Sequence, residues 1–128
     1  MASKKSTSAA PDAQRPALKL RMRVSVGELI AVGPGKIALL EALVQTQSIT
    51  QAAKALGMSY RRAWMLVDEL NRALKEPAVA TAVGGTHGGG SVVTETGLQL
   101  IALYRGIESQ AQKAAQADIK RLLAFIAK

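Results

Sequence analysis

The chain has 128 residues, 48% of them hydrophobic, and carries 17 Lys and Arg against 9 Asp and Glu, a net charge of +8. It has no cysteine and a single histidine, His87, which excludes disulfides, thiolate catalysis and any metal cluster built on imidazoles. The length fits one domain plus a tail, and the basic excess favours a polyanionic partner, either a nucleic acid or an acidic membrane surface.

The first sixteen residues, MASKKSTSAAPDAQRP, are rich in Ser, Ala, Pro and Lys and hold almost nothing to bury. They predict a disordered basic tail, with no apolar stretch of the kind a secretory signal needs. Residues 1–36 contain seven basic side chains (Lys4, Lys5, Arg15, Lys19, Arg21, Arg23, Lys36) and two acids (Asp12, Glu28), so five of the eight net charges lie there. No apolar run approaches the roughly 20 residues that span a bilayer. A cytoplasmic protein with no membrane partner is therefore expected.

Ala17 to Val26 alternates strictly, with Leu18, Leu20, Met22, Val24 and Val26 on one face and Lys19, Arg21, Arg23 and Ser25 on the other. Period two over ten residues predicts a half-buried strand. Glu28 to Val32 can pair with it through a turn at Gly27. The basic face could touch phosphates, or simply be solvated and guard an exposed edge. Gly33-Pro34-Gly35 then breaks the chain, and a helix is predicted from Pro34 to Thr46 with Ile37, Leu40, Leu43 and Val44 as its stripe.

Ser48 to Trp64, SITQAAKALGMSYRRAW, reads as two helices joined by a tight turn. Ser48 and Gln51 have the spacing of a capping box. Gly57 supplies the left-handed stop, and Ser59 caps the next helix, which runs to about Lys75, ahead of Pro77. Ala52 and Ala53 let the helices approach, with Leu56, Met58, Ala63 and Leu66 in the shared core. The second helix then carries Ala63, Leu66, Val67, Leu70 and Leu74 inward. This is the pattern of a helix-turn-helix, whose second helix enters a major groove. Ser59, Tyr60, Arg61, Arg62 and Met65 form its exposed start. Arginine can pair bidentately with guanine O6 and N7, and free N–H groups at a helix start can hold a phosphate. Gln51 and Lys54 are candidate phosphate contacts on the preceding helix. Trp64 could stack on DNA, but at this spacing it is expected in the half-buried core. A plain helical hairpin would share many of these signals.

Ala78–Val83 and Ser91–Thr94 flank the loop GGTHGGGS, which lacks the G-K-[ST] ending of a nucleotide-binding P-loop. A hairpin at this place is a wing, and Thr86, His87 and Gly88 at its tip are candidate DNA contacts. Gly33-Pro-Gly35-Lys-Ile-Ala38 loosely fits a dinucleotide fingerprint, but no βαβ unit follows it. Thr94 caps a final helix, with Glu95 complementing its dipole. From Glu95 to about Ala127 that helix would span roughly 50 Å at ~1.5 Å per residue. Leu98, Leu100, Ile101, Leu103, Tyr104 and Ile107 make its first half apolar nearly all round, so it must be buried against something, and a second copy of the chain is the expected cover. Gly106 marks a possible bend. No acid pair, Ser/His/Asp set or metal constellation is present, so neither an enzyme nor a cofactor is expected.

GPGKIALLEAL, SITQAAKALGMSYRRAW and GGTHGGGSVVTETG, in that order, resemble the DNA-binding domain of ModE-type molybdenum-responsive regulators, a LysR-like winged helix. The resemblance covers roughly residues 18–108. It implies a dimeric winged-helix regulator that reads a palindromic operator with the helix starting at Ser59 and the wing around Gly84–Gly90. Full-length family members carry molybdate-binding domains after this one. The chain ends at Lys128, so a stand-alone DNA-binding domain is expected, without molybdate sensing and with an unknown effector.

The expected fold is thus mainly α with a small β component. Residues 1–16 form a tail, 17–94 a winged helix-turn-helix with an N-terminal strand or hairpin, and 95–128 a dimerisation helix. The expected function is sequence-specific transcription regulation on double-stranded DNA. Two other readings use the same residues: an architectural DNA binder of low specificity, and a small molybdate- or tungstate-binding protein using the Gly-rich loop.

Overall fold

A computed structural model describes residues 15–81 and 90–126 of the chain. The tail expected at 1–16 lies outside the described residues except for Arg15 and Pro16, and so does the wing tip at 82–89. In order, the elements are β1 (Val24–Val26), β2 (Leu29–Val32), α1 (Pro34–Thr46), α2 (Ile49–Ala55), α3 (Tyr60–Ala73), β3 (Val79–Thr81), β4 (Ser91–Val93), α4 (Glu95–Ala114) and α5 (Gln116–Ala124). This is a winged helix-turn-helix: α2 and α3 are the helix pair, and β3–β4 is the wing base. The chain divides into a larger unit, Arg21–Glu108, and a smaller one drawn from its two ends, Met1–Leu20 and Ser109–Lys128.

The core of the larger unit is built around α1, which packs against α2, α3 and β4. Ile37, Leu39, Leu40 and Leu43 on α1 are fully buried, joined by Ala52, Ala53, Ala63, Val67, Leu70, Ala78 and Val79. Each buried Leu or Ile contributes about 1.5–3 kcal/mol relative to exposure. The expected α1 stripe holds for Ile37, Leu40 and Leu43. Val44 is exposed instead and Leu39 takes its place inside, because a helix covered on several sides does not confine its apolar residues to one stripe.

The strand expected over Ala17–Val26 is shorter than its alternation suggests. Only Val24–Val26 pairs, antiparallel to β2, with Val24 opposite Val32, Ser25 opposite Ile30 and a register shift between them. The partner strand ends at Val32, and Gly33 and Pro34 turn the chain into α1. Residues 17–23 therefore have no ladder to join, and Pro34 has no N–H to offer. The alternation survives as burial: Leu18, Leu20 and Met22 are half-buried while Lys19, Arg21 and Arg23 are exposed. Val24 and Val26 leave that face and stand 56% and 64% exposed.

The caps read from the sequence form. Ser48 Oγ accepts from Gln51 N at 3.1 Å, Ser59 Oγ accepts from Arg62 N at 3.1 Å, and Thr94 Oγ1 accepts from Gly97 N at 3.2 Å. The reciprocal half of the first capping box does not form. Ser48 N donates instead to Thr46 Oγ1 at 3.3 Å. Helix α3 stops at Ala73, where Leu74 turns extended, ahead of Pro77. The final helix is interrupted at Ala115 (φ −99, ψ 8) and restarts as α5 without a side-chain cap. No glycine or proline marks that break, and Gly106, the expected bend, lies inside α4.

Two close contacts join the wing base to α4. The Thr94 hydroxyl, besides capping the helix, donates to the Pro77 carbonyl at 2.7 Å, and Thr94 N donates to Ala78 O at 2.9 Å. Gly97 sits so near this strand that a Cβ on it would lie 2.5 Å from Ala78 O and 2.6 Å from Val93 Cγ1. The Thr-x-x-Gly spacing is thus a cap followed by a contact that only glycine allows. Two turns further on, buried Tyr104 donates its hydroxyl to Met22 O at 2.8 Å, and Arg105 holds Glu41 of α1 through two bonds of 2.8 and 2.7 Å.

Candidate nucleic-acid interface

The helix pair owes its geometry to small side chains. Ala52, Ala53 and Ala63 are fully buried where α2 meets α3, so the backbones approach closely. Gly57 turns the chain at φ +67, a left-handed conformation that costs glycine little. Its N–H donates to Lys54 O and that of Met58 to Ala53 O. Leu56, expected in the shared core, is exposed, while Met58 and Leu66 are partly buried against it.

With about 3.6 residues per turn, the buried side of α3 is set by Ala63, Val67 and Leu70. Arg61 and Met65 then fall on the opposite side. Arg62 and Glu69 lie on one flank, Tyr60 and Trp64 on the other. Ser59, Tyr60, Arg61, Arg62 and Met65 are all exposed, as the sequence predicts. Trp64 is a correction: it stands 48% exposed outside the core. It lies about 100° round the helix from Ala63, far enough to leave the apolar side. Further along, Asp68 and Arg72 neutralise one another at 2.7 Å, which confines the free positive charge of the outer face to its first two turns.

On the Arg62 flank lies a groove of about 610 Å³ between the first hairpin and α3, lined by Arg21, Arg23, Arg61 and Arg62 among others. Its acids are Glu28 and Glu69. Glu69 is already paired with Lys36, whose ammonium lies 3.2 Å away and also donates to Ile30 O. Among the described residues no carboxylate forms an ion pair with any of the four arginines. The groove thus presents four guanidinium groups to whatever enters it, and bidentate pairing with phosphate is what guanidinium does best. Lys36 is the residue sequence reading missed. It is buried and spent on tying β2, α1 and α3 together, and no local pattern in GPGKIA announces that.

On the Tyr60 flank is a smaller hollow of about 380 Å³, lined by Tyr60, Arg61, Trp64 and Met65. Arg61 and Met65 form the ridge between the two depressions. Gln51 and Lys54 are exposed on α2 and line neither one. Thr86, His87 and Gly88 fall outside the described residues. The wing base beneath them is held by Asn71 of α3. Its side-chain oxygen accepts from Ala78 N at 2.8 Å and Val79 N at 3.2 Å, and its amide donates to Val79 O at 3.0 Å. Ser91 N donates to the carbonyl of Gln47 at 3.0 Å. Asn71 is a second residue the sequence did not single out.

The capped helix pair, its exposed arginine-bearing start and the hairpin that follows coincide with a known family. Residues 35–98 match the model of the bacterial regulatory helix-turn-helix proteins of the lysR family. The chain belongs to that family. Proteins named ModE are among those the chain is similar to. The chain is 36% identical over 102 residues to the molybdenum transport protein ModE of Azotobacter vinelandii, covering 80% of this chain and 38% of that protein. It is 42% identical over 91 residues to the molybdenum-pterin-binding protein MopB of Rhodobacter capsulatus, 71% and 34% of the two chains. It is 34% identical over 96 residues to the DNA-binding transcriptional dual regulator ModE of Escherichia coli (strain K12), 75% and 37%. The chain thus spans well under half the length of these relatives. No helix among the described residues is long and apolar enough to cross a membrane.

Proposed function

We propose that the chain is a sequence-specific transcription regulator that binds double-stranded DNA as a homodimer and reads a palindromic operator. The observation that carries this reading is the start of α3, where Arg61 and Arg62 stand exposed and, among the described residues, without ion pairs, beside Arg21 and Arg23 in one groove. Arg61 and Arg62 read base edges. Arg21, Arg23, the Ser59 cap and Lys54 and Gln51 of α2 hold the phosphates on either side, which fix register without carrying sequence information. Residues 17–94 form the DNA-binding part, and the wing tip with Thr86, His87 and Gly88 approaches the duplex beside α3. Residues 95–128 form the dimer contact. Leu103 and Ile107, one turn apart on α4, are exposed and would be covered by the second copy. A relative named as a DNA-binding transcriptional regulator supports the same reading.

Selection of bound sequences from random DNA tests binding, specificity and palindromy together. The expected product is an inverted repeat with half-sites about one helical turn, roughly 34 Å, apart. Sedimentation at micromolar concentration should give a dimer. Arg61→Ala and Arg62→Ala should each cost about 1–3 kcal/mol on the selected site and relax specificity at one position. Unchanged affinity in both variants would remove α3 from the interface. Binding that falls steeply with salt yet does not separate the selected site from random DNA would leave only an architectural binder.

A further inference from the structure

Three large apolar side chains stand in solvent at the start of α3: Tyr60 at 54%, Trp64 at 48% and Met65 at 45% exposure. Nothing in the fold needs them there, since the helix is already seated by Ala63, Val67 and Leu70. They do not scatter. With Arg61 they line the open hollow of about 380 Å³ on the Tyr60 flank, and Arg61 and Met65 continue from it into the arginine groove. The occupant must therefore offer a small apolar group next to negative charge and hydrogen-bond acceptors.

We propose that Trp64, with Tyr60 and Met65, forms a pocket for the C5-methyl group of a thymine beside the base that Arg61 engages. This rests on the assignment of α3 as the reading helix and adds what one flank of it reads. A duplex keeps the faces of its bases stacked, so an indole on an inserted helix meets edges. The thymine methyl is the one apolar group those edges carry in the major groove. Stacking on base faces would instead require single-stranded or unstacked DNA. Arg61, common to both depressions, supplies the adjoining polar contact, guanine O6 and N7 being its best partners. The half-site is thus expected to contain a thymine next to a guanine.

The test uses the full chain and the site it selects from random DNA. Each thymine of one half-site is replaced singly by deoxyuridine, which removes the methyl and leaves pairing unchanged, and affinity is read by fluorescence anisotropy. Covering one methyl corresponds to about a fourfold change in affinity. At one thymine the replacement should weaken wild-type binding by about that factor. In Trp64→Ala and Met65→Ala the same replacement should make little difference, so that the two changes are non-additive. Both side chains lie outside the core, and far-UV circular dichroism of the variants should match the wild type. If no deoxyuridine position matters to the wild type, or if the variants keep the full sensitivity, the pocket does not read a methyl. Those outcomes leave the selected site and its dependence on Arg61 intact. Failure to select any sequence overturns the assignment of α3 itself, and this inference with it.

Discussion

The two hairpins are antiparallel pairs of strands only three or four residues long, and too short to be stable alone. They are held in opposite ways. The β3–β4 base is fastened through its backbone. Asn71 makes three bonds to Ala78 and Val79, Thr94 bonds to Pro77 and Ala78, Ser91 bonds to Gln47, and Gly97 lies against Ala78 and Val93. The β1–β2 pair has few such bonds. Lys36 donates to Ile30 O, Tyr104 donates to Met22 O just ahead of β1, and Ala31 and Val32 enter the core. Val24, Val26, Leu29 and Ile30 stay exposed. The wing base adds these polar anchors to the buried Ala78 and Val79, whereas the first hairpin relies mainly on Ala31 and Val32 in the core.

The comparison can be broken most forcefully at Asn71. Asn71→Ala leaves two buried N–H groups and a carbonyl at the wing base without partners and should cost about 3 kcal/mol in urea unfolding. A loss no greater than that of a change at the first hairpin would erase the distinction. Gly97→Ala comes next. The new methyl meets a backbone carbonyl that cannot swing aside, and overpacking of about 1–3 kcal/mol should outweigh the gain of about 1 kcal/mol in helix propensity. If Gly97→Ala raised Tm, the close approach of wing and helix would not be needed. For the first hairpin, Tyr104→Phe removes one hydroxyl and keeps the buried ring, so its cost should stay near 1 kcal/mol. The smallest effect concerns the link between α1 and α4. Hydrogen bonds from Arg105 hold the Glu41 carboxyl below its ordinary pKa of 4.5. Its contribution is therefore fully present above that value and is lost as pH falls through the lower folded value. Exposure and salt screen the pair. The Tm difference between wild type and Arg105→Gln should be small at neutral pH, begin to shrink below pH 4.5 and vanish once pH lies below the lowered folded value.

What was legible in the sequence follows the distance over which each cause acts. Ser48, Ser59 and Thr94 were found because a cap bonds to an N–H three residues away. Gly57 was found because the turn it makes is its own. Lys36, Asn71 and Tyr104 were not, since their partners lie 6, 7 or 8, and 82 residues off. Alternation over 17–26 reports half-burial for Leu18, Leu20 and Met22 but not for Val24 and Val26, and it does not by itself make a ladder, which needs a partner of equal length. The arginines at 61 and 62 were legible, but their groove is not a property of α3 alone. It closes only because the first hairpin brings Arg21 and Arg23 alongside. The position of Trp64 suggests the half-buried core before stacking on DNA, and helical phase places it on the exposed flank.

The hydroxyl of Thr94 donates to Pro77 and accepts from Gly97, so it joins the residue that leads into the wing to the first turn of the last long helix. With the missing Cβ of Gly97 leaving no slack between them, strand and helix start are geared together. A displacement of β3 is therefore carried directly into the first turn of α4.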